Sequence, residues 1–241
     1  MENLNTKVAL ITGGTKGIGY GIAECLLEEG VRVAITGRID ATAKEAAGKL
    51  NETTKSNGKA MGIEADVRDF ESQEKAVNAV LKEFGRLDIV IANAGLGHFG
   101  PVDNLSIEQW KETMDTNLTG PFFTLKASID ELKKNKGYYI TISSLAGTNF
   151  FEGGAAYNAS KFGVTGFTQA VMLDLRKYGI KVTTIMPGSV STNFNGNNPE
   201  NNDSWKIQKE DIGRLVVDIL KMPGNVLPSK IEIRPSMPPR K

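Results

Sequence analysis

Two side chains that could together transfer a proton lie four residues apart, Tyr157 and Lys161. That spacing puts both on one face of a helix. A free phenol has a pKa near 10 and is a poor proton donor or acceptor at neutral pH. A cation beside the hydroxyl favours the phenolate and would lower that pKa by roughly two to three pH units. The pair is therefore a candidate general acid–base group acting on a developing alkoxide.

A glycine-rich turn, TGGTKGIG at 12–19, stands between the first predicted strand and the first predicted helix. Its glycines, Gly13, Gly17 and Gly19, follow the spacing TGxxxGxG rather than GxGxxG. Glycines let the backbone turn tightly and approach a pyrophosphate, which the N-terminus of a helix attracts. The turn predicts the phosphate-binding part of a dinucleotide site, and a glycine turn without a ligand is the alternative.

The end of the second predicted strand indicates which dinucleotide would bind. NAD-specific sites usually place an acidic residue there to bind the ribose 2′-hydroxyl. Gly37 holds that position and Arg38 follows it, while Asp40 is expected to lie beyond the strand end. With Lys16 in the glycine-rich turn, two cations would face a 2′-phosphate. The pattern therefore favours NADP over NAD, and a solvated Arg38 in a loop is the alternative.

Polar or turn-forming residues also end the later predicted strands, where parallel sheets present ligand-binding residues. They are Asn93-Ala94-Gly95, Ser143-Ser144 and Pro187-Gly188. Asn117 lies within a predicted helix, although asparagine is a poor helix former. Each could be a turn or a cap by itself, but their occurrence at successive strand ends predicts one shared site.

Taken together, the motifs resemble those of the short-chain dehydrogenase/reductase family over nearly the whole chain. The matching segments are TGGTKGIG at 12–19, DV at 66–67, ANAG at 92–95, Asn117, ISSLAG at 142–147, YNASK at 157–161 and PGSVST at 187–192. The resemblance implies a catalytic tetrad of Asn117, Ser144, Tyr157 and Lys161. Tyr157 would be the general acid in reduction and the base in oxidation, and Ser144 would hold the carbonyl oxygen. Lys161 would bind the nicotinamide ribose and depress the pKa of Tyr157, and Asn117 would hold a water that relays protons to Lys161.

The resemblance also implies a site for NADP(H) along the same strand ends. Asp66 and Val67 would flank the adenine, Asn93 to Gly95 the adenine ribose, and the segment after Pro187 the nicotinamide. The full set of expected cofactor-binding residues is Gly13, Thr15, Lys16, Gly17, Ile18, Gly19, Arg38, Asp66, Val67, Asn93, Ala94, Gly95, Tyr157, Lys161, Pro187, Gly188, Val190 and Thr192.

The activity implied is NADP-dependent reduction of a ketone or aldehyde carbonyl to an alcohol by hydride transfer, with a small-molecule carbonyl substrate. One alternative is a 3-oxoacyl-[acyl-carrier-protein] reductase, whose usual ending the segment 226–235 does not match. Another is a catalytically silent NADP-sensing regulator, which would have no reason to keep the tetrad intact. Candidates for the substrate pocket are His98, Phe99, Asn149, Phe150, Phe151, Phe194 and Trp205.

Short apolar runs that alternate with helical patterns must position these residues. Strands are predicted at 8–11, 31–35, 60–63, 87–91, 138–142, 181–186 and 230–234. Helices are predicted at 18–29, 41–54, 70–84, 106–135 with a bend near Gly120-Pro121, 156–178 and 210–220. This is the βαβ pattern of a parallel sheet covered on both faces. The expected fold is α/β: one doubly wound Rossmann domain over 1–241, with a seven-stranded parallel sheet in the order 3-2-1-4-5-6-7.

Composition excludes several other classes. The 241 residues carry a net charge of +1, which gives no electrostatic case for nucleic acid or an anionic membrane as partner. A single cysteine, Cys25, reads as a buried helical thiol, and with a single histidine, His98, no metal site is expected. Without a signal peptide or an apolar span, the expected location is the cytoplasm. The family resemblance implies a homotetramer or homodimer formed by helices 106–135 and 156–178, and the asparagine-rich segment 193–202 is a candidate lid.

Overall fold

Strands and helices alternate along the computed structural model, which describes residues 3–196 and 203–237. The strands in the described ranges are β1 (Val8–Ile11), β2 (Arg32–Gly37), β3 (Ala60–Glu64), β4 (Ile89–Ala92), β5 (Tyr138–Ile142), β6 (Lys181–Pro187) and β7 (Lys230–Ile233). The α-helices there are α1 (Gly17–Glu28), α2 (Asp40–Thr53), α3 (Phe70–Phe84), α4 (Ile107–Met114), α5 (Gly120–Asn135), α6 (Ala155–Leu175) and α7 (Lys209–Leu220).

The strands form one seven-stranded sheet in the order β3-β2-β1-β4-β5-β6-β7, and each neighbouring pair is parallel. The predicted doubly wound α/β fold and its strand order are confirmed. Chain order reverses between β1 and β4, which lie side by side with Leu10 paired to Val90. In sheets of this kind, ligands bind beyond the carboxyl ends of the strands at such a reversal.

Alternate residues of the buried strands point to opposite faces of the sheet, and helices cover both faces. In β1, Ala9 and Ile11 belong to the apolar cluster that contains residues of α1, α2 and α7. Val8 and Leu10 belong to the cluster that contains residues of α3, α5 and α6. Because both faces are dry, β1 is entirely apolar rather than alternating.

Helices α1 and α7 approach closely around the predicted buried thiol. Cys25 is 8% exposed, and its Sγ lies 3.7 Å from the carbonyl oxygen of Glu210. A Cβ at Gly213 would come within 2.6 Å of that sulfur, so glycine is needed at this crossing. Burial raises the pKa of Cys25 to about 11, which keeps the thiol protonated and unreactive at neutral pH.

The helix predicted over 106–135 is interrupted earlier than expected. Ser106 begins α4 with the predicted capping box, in which its side chain accepts from the amide of Gln109. A π-helical segment, Asp115–Thr119, then separates α4 from α5. Pro121 has no amide hydrogen to give to the carbonyl of Asn117, so the chain cannot continue as a regular α-helix there. The irregularity thus lies before Gly120-Pro121, and it contains Asn117.

Candidate active site

The carboxyl ends of β1 to β6 surround a cavity of about 650 Å³. Nearly all the site residues predicted from the sequence line it: Gly13, Thr15, Lys16, Gly17, Ile18, Arg38, Asp66, Val67, Asn93, Ala94, Gly95, Ser144, Tyr157, Lys161, Pro187, Gly188, Val190 and Thr192. Gly19 and Asn117 do not line the cavity and act from behind its wall, as described below.

The glycine-rich turn is held in shape by β4. Gly13 has a φ of +62°, and a Cβ there would lie 2.8 Å from the Cα of Ala94. The hydroxyl of Thr12 accepts from the amides of Asn93 and Ala94 at 3.1 and 3.2 Å. The side-chain amide of Asn93 in turn donates to the carbonyls of Thr12 and Gly13 at 2.9 and 3.0 Å. The turn is therefore fixed before any ligand arrives.

Gly19 lies where α1 packs closely on the turn, and its expected contact with a cofactor stays a prediction. A Cβ at this position would lie 2.5 Å from the side-chain nitrogen of Asn93 and 2.7 Å from the carbonyl oxygen of Gly13. Gly19 therefore lets α1 lie against the turn and against Asn93. Gly17, with a φ of +58°, remains at the cavity wall and begins α1.

Tyr157 and Lys161 lie one turn apart on α6, as predicted, and Ser144 reaches the same place from the end of β5. The Nζ of Lys161 lies 5.6 Å from the centre of the Tyr157 ring. That nitrogen donates to the carbonyl of Ile142 at 3.0 Å. The hydroxyl of Ser144 interacts with that of Tyr157 and lies 3.5 Å from the carbonyl of Pro187.

The pKa of Tyr157 departs from the value expected from the sequence. Burial raises the pKa of the Tyr157 phenol, and the hydrogen bond with Ser144 acts in the opposite direction. Burial lowers the pKa of Lys161 to about 8. The predicted lowering by Lys161 is wrong for this arrangement, because burial dominates and the Lys161 ammonium donates to Ile142.

Asn117 holds the loop that follows β4. Its Oδ1 accepts from the amide of Leu96 at 2.9 Å, and its Nδ2 donates to the carbonyl of Leu96 at 2.8 Å. The same Nδ2 lies 3.0 Å from the hydroxyl of Ser160 on α6. Asn117 is 1% exposed, and its side chain ties the loop after β4 to α6. A water relay through Asn117 remains a prediction, which would have to use its backbone.

Two unpaired cations lie at the opposite end of the cavity. Lys16 in the glycine-rich turn and Arg38 after β2 are exposed, and neither forms an ion pair with any residue that the structure describes. Sequence reasoning missed a third cation, Arg68, which also lines the cavity. Its guanidinium donates to both oxygens of Asp66, from Nη2 to Oδ2 at 2.6 Å and from Nε to Oδ1 at 3.0 Å. These bonds are the main cause of a lowered Asp66 pKa. The DV motif alone gave no signal for this pairing.

The candidate substrate-pocket residues divide into two groups. Phe99, Phe151 and Phe194 have rings next to the ring of Tyr157. The other four candidates contact residues other than Tyr157. The ring of Phe150 stacks on that of Phe162, and the Nζ of Lys206 lies over the ring of Trp205. The side chain of Asn149 donates to the carbonyl of Leu145, and the Nε2 of His98 bonds to the carboxylate of Glu112.

The predicted lid falls largely outside the described residues, since only 193–196 of 193–202 are described there. In that part, Phe194–Gly196 forms a short turn in which Asn195 has a left-handed φ of +56°. Among the described residues, no cluster of His, Cys, Asp and Glu could hold a metal ion. None of the helices in those ranges is long and apolar enough to cross a bilayer.

A doubly wound parallel sheet with this cavity defines a Rossmann-type nucleotide-binding protein. The chain belongs to the short chain dehydrogenase family, whose model matches residues 7–203, and it is therefore an oxidoreductase of a family that binds a nicotinamide cofactor. It is 38% identical over 194 residues to trans-4-hydroxycyclohexanecarboxylate dehydrogenase of Sinomonas cyclohexanicum, an alignment that covers 79% of this chain and 75% of the relative.

Two solved structures of the same fold are similar along nearly their whole length. The alcohol dehydrogenase from the archaeon Thermococcus sibiricus, complexed with 5-hydroxy-NADP, has a TM-score of 0.89 at 29% identity, over 98% of this chain and 99% of that one. A 3-ketoacyl-ACP reductase from Sinorhizobium meliloti 1021 has a TM-score of 0.84 at 32% identity, over 94% of this chain and 97% of that one.

Proposed function

We propose that this protein is an NADP-dependent carbonyl reductase in which Tyr157 is the general acid and base. The observation that carries the proposal is that Ser144, Tyr157 and Lys161 line one cavity with the glycine-rich turn. The turn fits a dinucleotide, because its glycines bring the backbone to the cavity wall at the N-terminus of α1, where a pyrophosphate is attracted. We propose further that residues 1–241 act as one domain.

When bound, the nicotinamide cofactor supplies the hydride. The chain itself supplies the proton: the Tyr157 hydroxyl donates to the carbonyl oxygen as negative charge develops there. Ser144, which interacts with the same phenol, would donate a second hydrogen bond to that oxygen. The raised pKa of Tyr157 keeps it protonated at neutral pH, which suits proton donation during reduction. Lys161 sits one helical turn away, where its amine can bind the nicotinamide ribose.

The preference for NADP rests on charge and on space. Lys16 and Arg38 form no ion pair with the described residues, so both can offer their charge to a 2′-phosphate. An acidic residue of the NAD-specific kind is disfavoured at position 37, because a Cβ on Gly37 would lie 2.7 Å from the side-chain methyl of Thr15. The relative from Thermococcus sibiricus, complexed with 5-hydroxy-NADP, is consistent with this preference.

Two other functions remain as rival proposals. The likeness to the Sinorhizobium meliloti enzyme keeps a 3-oxoacyl-[acyl-carrier-protein] reductase in view. A silent NADP-sensing regulator is disfavoured by the convergence of Ser144, Tyr157 and Lys161 on the cavity. We also propose a small-molecule carbonyl substrate, a homotetramer or homodimer, and a cytoplasmic location, with neither nucleic acid nor membrane as partner.

Removal of the Tyr157 hydroxyl tests the proposed activity. NADPH oxidation is followed by absorbance with a panel of ketones, aldehydes, β-keto esters and 3-oxoacyl thioesters. Tyr157→Phe should lose activity toward the upper end of the 10²–10⁴-fold range that such groups contribute, while NADPH still binds. Tyr178→Phe, on a tyrosine that is 41% exposed, is the matched control. Activity retained by Tyr157→Phe on a good substrate would overturn the mechanism.

A further inference from the structure

Three phenylalanine rings lie around the ring of Tyr157. The ring centres of Phe99, Phe194 and Phe151 are 5.2, 5.9 and 6.5 Å from that of Tyr157. Phe99 and Phe151 also contact each other, with centres 5.9 Å apart. The three rings come from three different loops, after β4, after β5 and after β6. Phe99, Phe151 and Phe194 therefore form an aromatic wall around Tyr157.

Two glycines leave the space that the aromatic wall fills. A Cβ at Gly97 would lie 2.6 Å from Phe99 and 3.2 Å from Tyr157. A Cβ at Gly154 would likewise lie 2.6 Å from the ring of Phe151. Any larger residue at either position would push a ring away from the phenol. The positions of Phe99 and Phe151 in the wall thus depend on the absence of side chains at Gly97 and Gly154.

The loops that carry Phe99 and Phe151 are also tied to each other. The amide of Gly100 donates to the carbonyl of Gly153 at 2.9 Å. Asn158, the neighbour of Tyr157, donates from its Nδ2 to the carbonyls of Ala146 and Asn149, both at 2.7 Å. These bonds hold the rings in place without a ligand, so the wall is preorganised.

Two of the three rings of the wall are partly exposed to solvent. Phe99 is 46% exposed and Phe151 is 47% exposed. Apolar surface of this kind gains free energy when an apolar group covers it. The rings around Tyr157 thus favour a compact apolar ring, cycloalkyl or aryl, next to the carbonyl.

The charges near the wall do not suit an anion. His98, between Gly97 and Phe99, bonds through its ring to the carboxylate of Glu112 at 2.9 Å. Lys206, which also lines the cavity, is paired with Asp203 at 2.6 Å. Five cations of the described ranges line the cavity, and two of them, Arg68 and Lys206, are paired with carboxylates. Lys16 and Arg38 lie by the glycine-rich turn and β2, and Lys161 donates to the carbonyl of Ile142. Besides Lys161, the described residues therefore place no unpaired cation beside the wall for a substrate carboxylate.

We propose, resting on the carbonyl-reductase function above, that the substrate is an uncharged ketone whose carbonyl belongs to, or is joined directly to, a cycloalkyl or aryl ring. The carbonyl oxygen accepts from Tyr157, and the ring packs against Phe99, Phe151 and Phe194. The proposed substrate shares a ring with the cyclohexanecarboxylate in the name of the Sinomonas cyclohexanicum relative, but it lacks the negative charge of that carboxylate.

Matched ketones separate the contributions of ring and charge. We expect the kcat/KM for 4-methylcyclohexanone to be at least tenfold above that for acyclic 2-heptanone and that for anionic 4-oxocyclohexanecarboxylate. The same order of substrates should hold whether NADPH or NADH is the cofactor. Phe99→Leu and Phe151→Leu should each raise KM for 4-methylcyclohexanone several-fold with little change in kcat, and should leave 2-heptanone almost unaffected. Phe122→Leu, on a ring that is 45% exposed on α5, should change neither.

The outcomes distinguish this proposal from the proposed function. If carbonyls are reduced but 2-heptanone or the carboxylate is preferred, or if the Phe99 and Phe151 variants match wild type, the ring proposal is wrong and the reductase stands. If no carbonyl is reduced, saturation-transfer NMR decides. Binding of 4-methylcyclohexanone that Phe99→Leu abolishes would support the ring site without the reductase, and absence of binding to wild type would overturn both.

Discussion

The ammonium nitrogen of Lys161 lies 5.6 Å from the centre of the Tyr157 ring, yet it donates its hydrogen bond to the carbonyl of Ile142 at 3.0 Å. The two side chains are neighbours without being directly paired. Burial therefore acts on each of them by itself: it favours the neutral phenol and the neutral amine.

The free protein should keep Tyr157 protonated through the neutral and mildly alkaline range. Burial raises its pKa above the ordinary value of 10, so little phenolate should form below pH 9. The difference in absorbance at 295 nm between wild type and Tyr157→Phe, titrated with pH, measures this directly. A phenolate transition near pH 7 to 8 in that difference would show that Lys161 governs the phenol after all.

Lys161 should destabilise the fold at neutral pH. Its pKa is about 8 in the folded chain and near 10.5 when unfolded, so below pH 8 folding must bury a charge. Between pH 8 and 10.5 the unfolded chain binds the proton and the folded chain does not. Stability due to this residue therefore rises with pH, by up to about 3 kcal/mol.

The neutral variant Lys161→Met removes that pH dependence. Urea unfolding at pH 7.5 and pH 10 should show the free energy of unfolding of wild type rising relative to that of the variant as pH increases. The exposed Lys55→Met is the control, and its difference from wild type should change little over the same range. A constant difference between wild type and Lys161→Met would mean that the lysine is charged in the folded state throughout.

Arg38→Ala should weaken NADPH binding by about ten- to a hundredfold, because hydrogen bonds to charged groups contribute about 1.5–3 kcal/mol. NADH lacks the 2′-phosphate and should lose little. Michaelis constants for both cofactors on one carbonyl substrate measure the effect. The NADP proposal fails if unmodified protein prefers NADH, or if the variant leaves the NADPH constant unchanged.

Reversal of the cofactor preference should require a second, steric change. Gly37→Asp with Arg38→Ala supplies a carboxylate for the ribose 2′-hydroxyl, but its Cβ meets the methyl of Thr15 at 2.7 Å. Adding Thr15→Ser removes that methyl and keeps the hydroxyl. The triple variant should therefore have a higher kcat/KM for NADH than the double variant. Equal values would show that the chain accommodates the contact between Asp and the Thr15 methyl without the second change.

The proposed oligomer would use exposed apolar residues on α6. Phe162 is 37% exposed and Leu173 is 57% exposed. Changing both to Glu should dissociate a tetramer or dimer, as measured by sedimentation at micromolar concentration. Val226→Glu, in the loop before β7, is the control and should leave the assembly intact. A wild type that sediments only as a ~26.1 kDa species contradicts the proposal.

Local patterns carry most of the fold and of the cavity wall. Strands with two dry faces are mostly apolar and rich in β-branched and aromatic residues, which is why Val8–Ile11 and Tyr138–Ile142 could be predicted to the residue. In a parallel sheet the strand ends meet at one edge, so motifs far apart in sequence could be assigned to one site. The position of the π-helical segment that contains Asn117 was harder to predict, because it depends on the bonds of Asn117 to Leu96 as well as on the amide hydrogen that Pro121 lacks.

The sequence by itself therefore determined which residues meet, and the tertiary structure decided how they pair. Spacing placed Lys161 on the same face as Tyr157, but its hydrogen-bond partner depends on where β5 ends relative to α6. Likewise, Asp66 could be assigned to the cavity wall, whereas its pairing with Arg68 depends on the conformation of one loop. Hydrogen-bond partners and pKa values depend on distances of a few tenths of an ångström between separate elements, and no one-dimensional pattern encodes those distances.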